Sequence, residues 1–383
     1  MAGIGIGIGL TAQRRRRHFS FADLFTSGDG FIYPIAPGTR WQDAAGTLPV
    51  DAAEQQIAFA QDGSEGLARG LELVTNGGFD TDAGWTKDPL SSGVPWVISG
   101  GKASISGAQA SATDLYQMLA VVAGRFYELA FDYVSGAGSL ALQARALNLV
   151  SGINTGVSPA PGTRVRMIFS TSGASAIVTV RAGSGVSATI DNISVREILG
   201  FHAIQSGAAS TRPTYREGPV RLSLDGIDDK LLTPWKPTAS GTIGCMFRTD
   251  SAASRILIGS AGATDGRCYL GIGSDGRLGG GIGTQAMAVI AGGSDLRGTG
   301  WHSGIMSWDG ATAHLYLDGV EVYSAAQAGA VNTTIPMMVG ALNANGVPGS
   351  FFLGDILPNP VALDYAATAA QIASLHRAWS MQQ

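Results

Sequence analysis

Apolar and polar residues alternate in three short runs along residues 301–323, which predicts three β-strands joined by two tight turns. The turns fall at Asp309-Gly310 and Asp318-Gly319. Asp-Gly between alternating runs is a strong hairpin signal, because both of its positions accept a positive φ angle. The stretch therefore predicts an antiparallel meander with one packed face and one face in water.

The same alternation recurs between residues 73 and 199, where turns rich in glycine and serine separate the runs. It predicts eight further strands, at residues 96–99, 102–106, 114–121, 126–134, 140–147, 164–170, 176–181 and 189–197. Short strands at regular spacing are typical of a small β-sandwich or jelly roll. A second dense series of strand patterns follows residue 200, so the chain is predicted to contain two antiparallel β-sandwich or jelly-roll domains.

One short helix is predicted at the C-terminal end. Thr368 and Gln371 have the spacing of a capping box, in which two side chains satisfy the first free amides of a helix. Ile372, Leu375 and Trp379 then fall on one stripe, which we expect to dock on the second sandwich. The predicted class is all-β, with this helix and an extended N-terminal arm added to the two sandwiches.

Residues 1–30 are predicted to form that arm. Its candidate anchoring residues are Ile4, Ile6, Ile8, Arg14, Arg15, Arg16 and Arg17. Alternation with glycine puts the isoleucines on one face of a strand that is weak in isolation. Two interpretations stand: a solvated, mobile tail, or an arm that adds an edge to a partner's sheet while its arginines pair with the partner's carboxylates.

Composition narrows the class of protein. The net charge is −4 over 383 residues, which does not favour nucleic-acid binding. The chain has 55 glycines and two cysteines, and two cysteines are too few for a disulfide framework. No apolar run reaches the ~18 residues of a membrane span, and the first apolar stretch precedes the arginines, the reverse of a secretory signal. We expect synthesis in a reducing cytoplasm.

Several stretches resemble known families. Residues 224–232 (LDGIDDKLL), the meander at 301–323 and the closing strand and helix at 351–379 are similar to concanavalin A-like or laminin-G-like domains of phage proteins. Residues 41–66 resemble the lead-in that phage and prophage structural proteins carry before such a domain. In those proteins the lead-in runs directly into a segment like residues 200–215, whereas here residues 67–199 interrupt it.

The interrupting segment resembles jelly-roll carbohydrate-binding modules, which begin Asn-x-Gly-Phe-(Asp/Glu) and end Ile-Asp-Asn-Ile-x-Val. Here those motifs are residues 76–80 and 190–195. The predicted organisation is therefore an arm at 1–30, a lead-in at 31–66, a carbohydrate-binding-module-like insert at 67–199 and a concanavalin A-like sandwich with its helix at 200–383.

The sequence does not predict an enzyme. Glycoside hydrolysis needs two acidic residues flanking the scissile bond, and the Glu-x-Asp-x-x-Glu spacing that places acids in such a cleft is absent. Asp225, Asp228 and Asp229 cluster in a turn, where aspartate is favoured for its hydrogen bonds to the backbone. No nucleophile elbow, zinc-protease motif or P-loop occurs either.

The ligand candidates are aromatic residues of the insert. Trp96, Trp85 and Tyr116 are predicted at or near loops, where a flat ring can stack on the apolar face of a sugar. The alternative is that each is a core residue, because large aromatic side chains are mostly buried.

The insert's family resemblance also implies a structural Ca²⁺ between its first and last strands. The matching positions are Asp80 and Asp191, whose carboxylate oxygens suit Ca²⁺. In the competing interpretation Asp80 belongs to a loop and Asp191 sits on a strand end.

Together the resemblances imply a non-enzymatic phage virion protein, a fibre, spike or decoration protein. Its arm would bind other virion subunits of the capsid or tail, and its lectin-like domains would bind host surface polysaccharide, with a homotrimer as the expected assembly. The alternative is a purely structural head or tail protein that binds no glycan. Such a protein would be made in the host cytoplasm without a signal peptide and reach the cell exterior on the particle.

Overall fold

A computed structural model describes residues 19–26, 29–44, 48–64, 69–90, 93–137, 140–146, 153–157, 161–170, 173–251, 255–262, 266–287 and 294–383. The predicted anchoring residues Ile4, Ile6, Ile8 and Arg14 to Arg17 lie outside these ranges.

Strands are the main regular structure of the described chain. Three precede residue 65: β1 (Gly30–Ile32), β2 (Arg40–Trp41) and β3 (Phe59–Ala60). Eleven follow: β4 (Arg69–Glu72), β5 (Thr86–Asp88), β6 (Val97–Ser99), β7 (Lys102–Ser106), β8 (Thr113–Ala120), β9 (Phe126–Ala137), β10 (Leu140–Ala146), β11 (Ile153–Val157), β12 (Thr163–Ser170), β13 (Ser175–Ala182) and β14 (Ser187–Ile198).

The remaining strands are β15 (Ala203–Ile204), β16 (Thr214–Arg216), β17 (Arg221–Asp225), β18 (Leu231–Leu232), β19 (Gly241–Arg248), β20 (Arg255–Ala261), β21 (Arg267–Ile272), β22 (Leu278–Gly283), β23 (Gln285–Met287), β24 (His302–Trp308), β25 (Thr312–Leu317), β26 (Val320–Ala326), β27 (Met338–Val339), β28 (Leu342–Ala344), β29 (Val347–Gly349), β30 (Leu353–Ile356) and β31 (Val361–Leu363). Short 3₁₀ helices occupy Phe21–Thr26 and Ala209–Thr211, and α1 spans Ala369–Ser380. The predicted all-β class with one C-terminal helix is confirmed.

Strands β4–β14 form one sandwich, here called the insert sandwich. Its five-stranded sheet has the order β11-β10-β13-β8-β5, and its six-stranded sheet has the order β12-β9-β14-β7-β6 with β4 beside β14. Alternate residues of both sheets meet in one core, with Phe131 from β9 and Leu115 from β8 fully buried in it. The eight predicted strands correspond to β6–β10 and β12–β14, while the short strands β4, β5 and β11 were missed.

Strands β1–β3 and β15–β31 form the larger sandwich, here called the host sandwich. Its nine-stranded sheet has the order β16-β17-β30-β19-β24-β25-β26, with β31 beside β19 and β1 beside β31. Its eleven-stranded sheet has the order β2-β3-β15-β18-β27-β20-β21-β22-β23, with β28 and β29 attached to β20. Phe247 of one sheet and Leu270 of the other are both fully buried in the shared core.

The chain leaves and re-enters the host sandwich at one point, where Asp62 and His202 meet. The Asp62 carboxylate accepts hydrogen bonds from the amides of Ile32 (2.9 Å) and Phe201 (2.7 Å). Nδ1 of His202 accepts from the Asp62 amide at 3.0 Å, and Nε2 donates to the Ile198 carbonyl at 2.9 Å. Burial lowers the pKa of His202 to about 4, so the imidazole is neutral near pH 7, as one donating and one accepting nitrogen require.

An apolar cluster joins the two sandwiches next to this point. Phe59 of the host sandwich and Ile168 and Ile198 of the insert sandwich are buried together. The Phe59 ring also makes edge contacts with Trp41 and Phe126, at centroid distances of 5.1 and 5.3 Å. Because Ile168 and Ile198 lie on the outer face of the six-stranded sheet, that face docks on the host sandwich at one end.

The predicted meander is present as β24, β25 and β26, but its first turn and its outer face differ from the prediction. Asp318 and Gly319 have positive φ angles of 51° and 78°, as expected. At the first turn only Gly310 has a positive φ, since the Asp309 carboxylate accepts from the amide of Thr312 and closes the turn itself. The expected wet face is wrong at Ile305 and Tyr316, which the layer under helix α1 buries, while His314 on the same face stays partly exposed.

Helix α1 begins with the predicted capping box, Thr368 with Gln371. Its stripe of Ile372, Leu375 and Trp379 is fully buried in a second apolar layer outside the nine-stranded sheet. Tyr316 of the meander is 7% exposed in that layer, which accounts for the dry outer face.

Residues 19–26, placed in the arm by sequence, pack into the same layer. Leu24 is fully buried there, and its carbonyl accepts a hydrogen bond from the Tyr365 hydroxyl at 2.7 Å. Phe21 contacts the Trp379 ring at a centroid distance of 6.3 Å. The described part of the predicted arm is thus a cover for helix α1, because its phenylalanines bury apolar surface against the helix.

Among the residues described, none of the helices has both the length and the apolar character needed to cross a membrane.

Candidate carbohydrate-binding surfaces

The two predicted tryptophan platforms are core residues. Trp96 is 1% exposed and Trp85 is 7% exposed. Their indole N–H groups donate to the carbonyls of Thr113 (3.4 Å) and Asn76 (3.0 Å). A ring with both faces covered by protein cannot stack on a sugar, so burial argues against the platform role and favours the core alternative.

Tyr116 is the one predicted aromatic that reaches the surface. It is half-buried on the outer face of the five-stranded sheet, with Thr179 of β13 and Thr86 of β5 as its cross-strand neighbours. The Thr179 hydroxyl is buried without a hydrogen-bond partner among the described residues.

Two residues from Tyr116, on the same face of the sheet, Arg181 donates two hydrogen bonds of 2.6 Å to the carboxylate of Asp114. The hydrogen bonds that Arg181 donates to the Asp114 carboxylate raise the pKa of Arg181. A tyrosine beside fixed polar groups is a surface that can bind a sugar, because sugars present both hydroxyl groups and an apolar ring face.

Sequence reasoning missed a second tyrosine, Tyr269 on the outer face of the eleven-stranded sheet. It is half-buried, whereas its neighbours Cys268 and Leu270 point into the core and are fully buried. A Cβ added at Gly281 of β22 would lie 2.3, 2.6 and 3.0 Å from three atoms of the Tyr269 ring. The ring therefore occupies the space that a side chain at position 281 would need.

Glycine makes this arrangement possible on both sides of β21. A Cβ added at Gly259 of β20 would lie 2.6 Å from the Cβ of Tyr269, so both neighbouring strands need glycine opposite the tyrosine. Within the described part of the chain the Tyr269 hydroxyl makes no hydrogen bond or ion pair. We call this feature, Tyr269 with Gly259 and Gly281, the tyrosine shelf. The feature that could have indicated the shelf in the sequence is the run of glycines in β22, which pairs with the strand that contains Tyr269.

The acidic turn 225–229 is held by hydrogen bonds to its own backbone. Oδ1 of Asp225 accepts from the amides of Ile227 (2.8 Å) and Asp228 (3.3 Å), and Oδ2 of Asp229 accepts from the Asp225 amide at 3.0 Å. The three carboxylates lie within 4.8 Å of one another. Burial, and next the charge of Asp225, raises the pKa of Asp229 to about 7. These contacts confirm the predicted turn role.

The two residues matched to a structural Ca²⁺ lie in different elements of the insert sandwich, Asp80 in the segment between β4 and β5 and Asp191 in β14. Asp80 is exposed, and Asp191 is half-buried at a β-bulge where its carboxylate accepts from the Asn192 amide at 2.7 Å. In the described chain no third acidic or histidine side chain joins either residue in a metal-sized cluster. Side chains alone thus do not complete an oxygen cage, and a Ca²⁺ at this position stays a prediction.

A known protein family matches a part of the chain that lies within the host sandwich. A family model described as the concanavalin A-like lectin/glucanases superfamily matches residues 225–373. This part of the chain is therefore similar to concanavalin A-like, laminin-G-like domains. No curated protein matches the chain.

Solved structures similar to the chain include the CBM40 module of Ruminococcus gnavus IT-sialidase bound to α2,3-sialyllactose. It is 17% identical, covers 37% of this chain and 84% of its own, and has a TM-score of 0.32. A heptameric SAP-like pentraxin from Limulus polyphemus is 14% identical over 40% of this chain and 79% of its own, with a TM-score of 0.34. A Trypanosoma rangeli sialidase is 12% identical over 49% and 31%, with a TM-score of 0.35. Similarity at this level concerns the β-sandwich fold alone.

Proposed function

We propose that the protein is a non-enzymatic glycan-binding protein. The tyrosine shelf is the observation that supports this most strongly. The half-buried Tyr269 ring has Gly281 and Gly259 as its cross-strand neighbours, so neither neighbour has a side chain that could cover the ring. The ring is held in place before any ligand arrives, which lowers the entropy cost of binding.

The chemistry of a sugar suits such a shelf. The axial C–H groups of a pyranose present an apolar face that packs on an aromatic ring, and the surrounding hydroxyls hydrogen-bond to polar groups at its edge. The unpartnered Tyr269 hydroxyl supplies one such group. The acidic turn 225–229, in contrast, uses its carboxylates for its own backbone, so we assign no hydrolytic role to it.

The test compares three variants of the full chain on a glycan array and by titration with the best array ligand. We expect Tyr269→Ala to lower affinity about tenfold or more, equivalent to about 1.4 kcal/mol. Tyr269→Phe keeps the ring and should retain most of the binding. Gly281→Ala should also weaken binding, because the added methyl group displaces the ring without removing it.

Melting temperature controls for damage to the fold in each variant. Unchanged glycan affinity in a folded Tyr269→Ala protein would contradict the role of the shelf. A Tyr116→Ala variant measured beside it reports whether the insert sandwich contributes a second surface.

We also propose that the glycan is on a host cell and that the protein acts from a virus particle, as a fibre, spike or decoration protein in a homotrimer. This part is supported by the sequence resemblance of residues 41–66 and 224–232 to phage structural proteins. Binding to intact candidate host cells should disappear after mild periodate oxidation of their surface sugars. Oxidation-independent binding, or none, would favour the structural alternative in which the protein contacts only other virion subunits.

A further inference from the structure

A cleft on the insert sandwich carries an arginine that has no partner among the residues the structure describes. The cleft has a volume of about 440 Å³ and lies on the outer face of the six-stranded sheet, beside the cluster that joins the two sandwiches. Arg164, Arg166 and Arg196 line it. Pockets of a few hundred Å³ are of the size that binds small ligands.

The strand register explains how the arginines converge. Arg166 of β12 faces Ala130 of β9, which in turn faces Ser194 of β14, so one row of the sheet has a small residue at its centre. The next row on one side contains Arg164 and Asp132, and the row on the other side contains Glu128 and Arg196. Long charged side chains therefore surround a low floor at Ala130.

The acidic residues around this floor already have cationic partners. Asp132 pairs with Arg164 at 2.7 Å, Glu72 pairs with Arg196 at 3.0 Å, and Glu128 pairs with Arg69 at 3.2 Å.

Glu72 is further occupied by the Ser194 hydroxyl at 2.5 Å and the Val195 amide at 2.7 Å. Asp132 likewise accepts from the side-chain amide of Asn192 at 2.8 Å. These acids are thus held in place and are not available to neutralise another cation.

Arg166 is exposed, and within the described ranges it has no ion pair or hydrogen bond. The Arg164–Asp132 and Arg196–Glu72 pairs border it, and Asp191 lies beyond Asp132 in the Arg164 row, so among the described residues Arg166 is the guanidinium of the cleft that has no acidic partner. A guanidinium presents parallel N–H donors that match the two oxygens of a carboxylate, and such charge-assisted pairs are stronger than neutral hydrogen bonds.

We propose that this cleft binds the carboxylate of an acidic sugar, such as a uronic or sialic acid, with Arg166 as the carboxylate ligand. The inference rests on the proposed glycan-binding function and names the class of sugar that the insert sandwich selects. Ser194 and Asn192 also line the cleft; because their side chains already donate to Glu72 and Asp132, they offer the Ser194 oxygen and the Asn192 carbonyl oxygen as acceptors for sugar hydroxyls. The cleft is separate from the tyrosine shelf, which belongs to the host sandwich.

The experiment measures binding of the full chain to glucuronate-, galacturonate- and sialate-containing oligosaccharides, each beside its carboxyl-reduced, neutral form. We expect at least one acidic probe to bind about tenfold more tightly than its reduced form, with an affinity that falls as salt rises. Arg166→Ala should abolish that preference and leave binding of the reduced probe unchanged. Arg166→Lys should keep only part of it, since an ammonium lacks the fork.

Lys236→Ala is the control, because it removes an exposed cationic side chain of the host sandwich that also has no partner in the described chain. An equal loss in the Arg166 and Lys236 variants would reduce the effect to overall charge and overturn the proposal. Equal, Arg166-dependent binding of a sulfated probe without a carboxylate would overturn the assignment to carboxylate.

The outcomes also separate this inference from the proposed function. If neutral glycans bind in a Tyr269-dependent way and no acidic probe is preferred over its reduced form, the cleft assignment fails and the glycan-binding function stands. If no glycan of either kind binds, both fail.

Discussion

Asp229 shows how a single buried residue makes stability depend on pH. Its side chain is 4% exposed, and Oδ1 has no hydrogen-bond partner among the described residues. An ionised carboxylate in that position loses hydration and faces the charge of Asp225, so the folded state holds the proton more tightly than the unfolded chain does.

The sign of the pH effect follows from that raised pKa. The pKa of Asp229 is raised to about 7 in the folded protein, from an ordinary value of 3.8. Proton binding to Asp229 therefore stabilises the folded state fully below about pH 3.8, and this stabilisation is lost as the pH rises through about 7. We expect Asp229→Asn to melt at nearly the wild-type temperature at pH 4 and several degrees higher at pH 8, a gain of about 1 kcal/mol or more.

Thermal melts of both proteins across pH 4–8 measure this. Asp228→Asn, at a less buried position of the same turn, is the control for the loss of one carboxylate from the turn. A constant difference in melting temperature between Asp229→Asn and the wild type would contradict the assignment.

At the scale of elements, helix α1 makes the nine-stranded sheet a two-sided layer. The sequence predicted both the capping box and the buried stripe, because each depends on residues three or four positions apart. It could not predict that the helix covers the outer face of the meander, since Tyr316 has the same alternation pattern whether water or a helix lies above it. The same limit applies to Trp96 and Trp85, whose burial depends on distant strands.

The tyrosine shelf was hidden for a related reason. A glycine in a strand reads as a weak point of the sheet, and its value appears only when register places it opposite a ring. The sequence predicted a strand at residues 164–170, but which of Arg164 and Arg166 lacks an acidic partner in the described chain depends on pairing with β9 and β14.

The helix contact gives a direct test. Trp379 is fully buried, and its indole donates to the Asn359 carbonyl at 3.0 Å. Trp379→Ala should lower the free energy of unfolding by about 3–5 kcal/mol, because it removes a large packed ring and leaves a cavity. Chemical denaturation measures the loss. Met381→Ala, at a side chain that is 75% exposed, should change stability by less than about 0.5 kcal/mol.

At the scale of the whole molecule, the two sandwiches share little more than the Phe59, Ile168 and Ile198 cluster and the bonds around Asp62 and His202. Each sandwich has its own core. The coupling between them should therefore be weak enough to break without unfolding either sandwich.

Ile168→Asp places a charge in that cluster and should separate the unfolding of the sandwiches into two resolved calorimetric transitions. Val97→Asp, at a side chain that is 56% exposed on the insert sandwich, is the control and should leave the wild-type profile in place. A single transition with an unchanged midpoint in Ile168→Asp would show that the cluster does not couple the two sandwiches.

The position of the first strand determines the order in which the chain can fold during synthesis. Phe31 of β1 pairs with Ala362 of β31, and Ala60 of β3 pairs with Ala203 of β15. The host sandwich cannot close its sheets until the ribosome has released nearly the whole chain, whereas strands β4–β14 find every partner among themselves. The insert sandwich can therefore fold first, while the edges of strands β1–β3 are still unpaired. We expect the nascent protein to be most prone to aggregation during this interval.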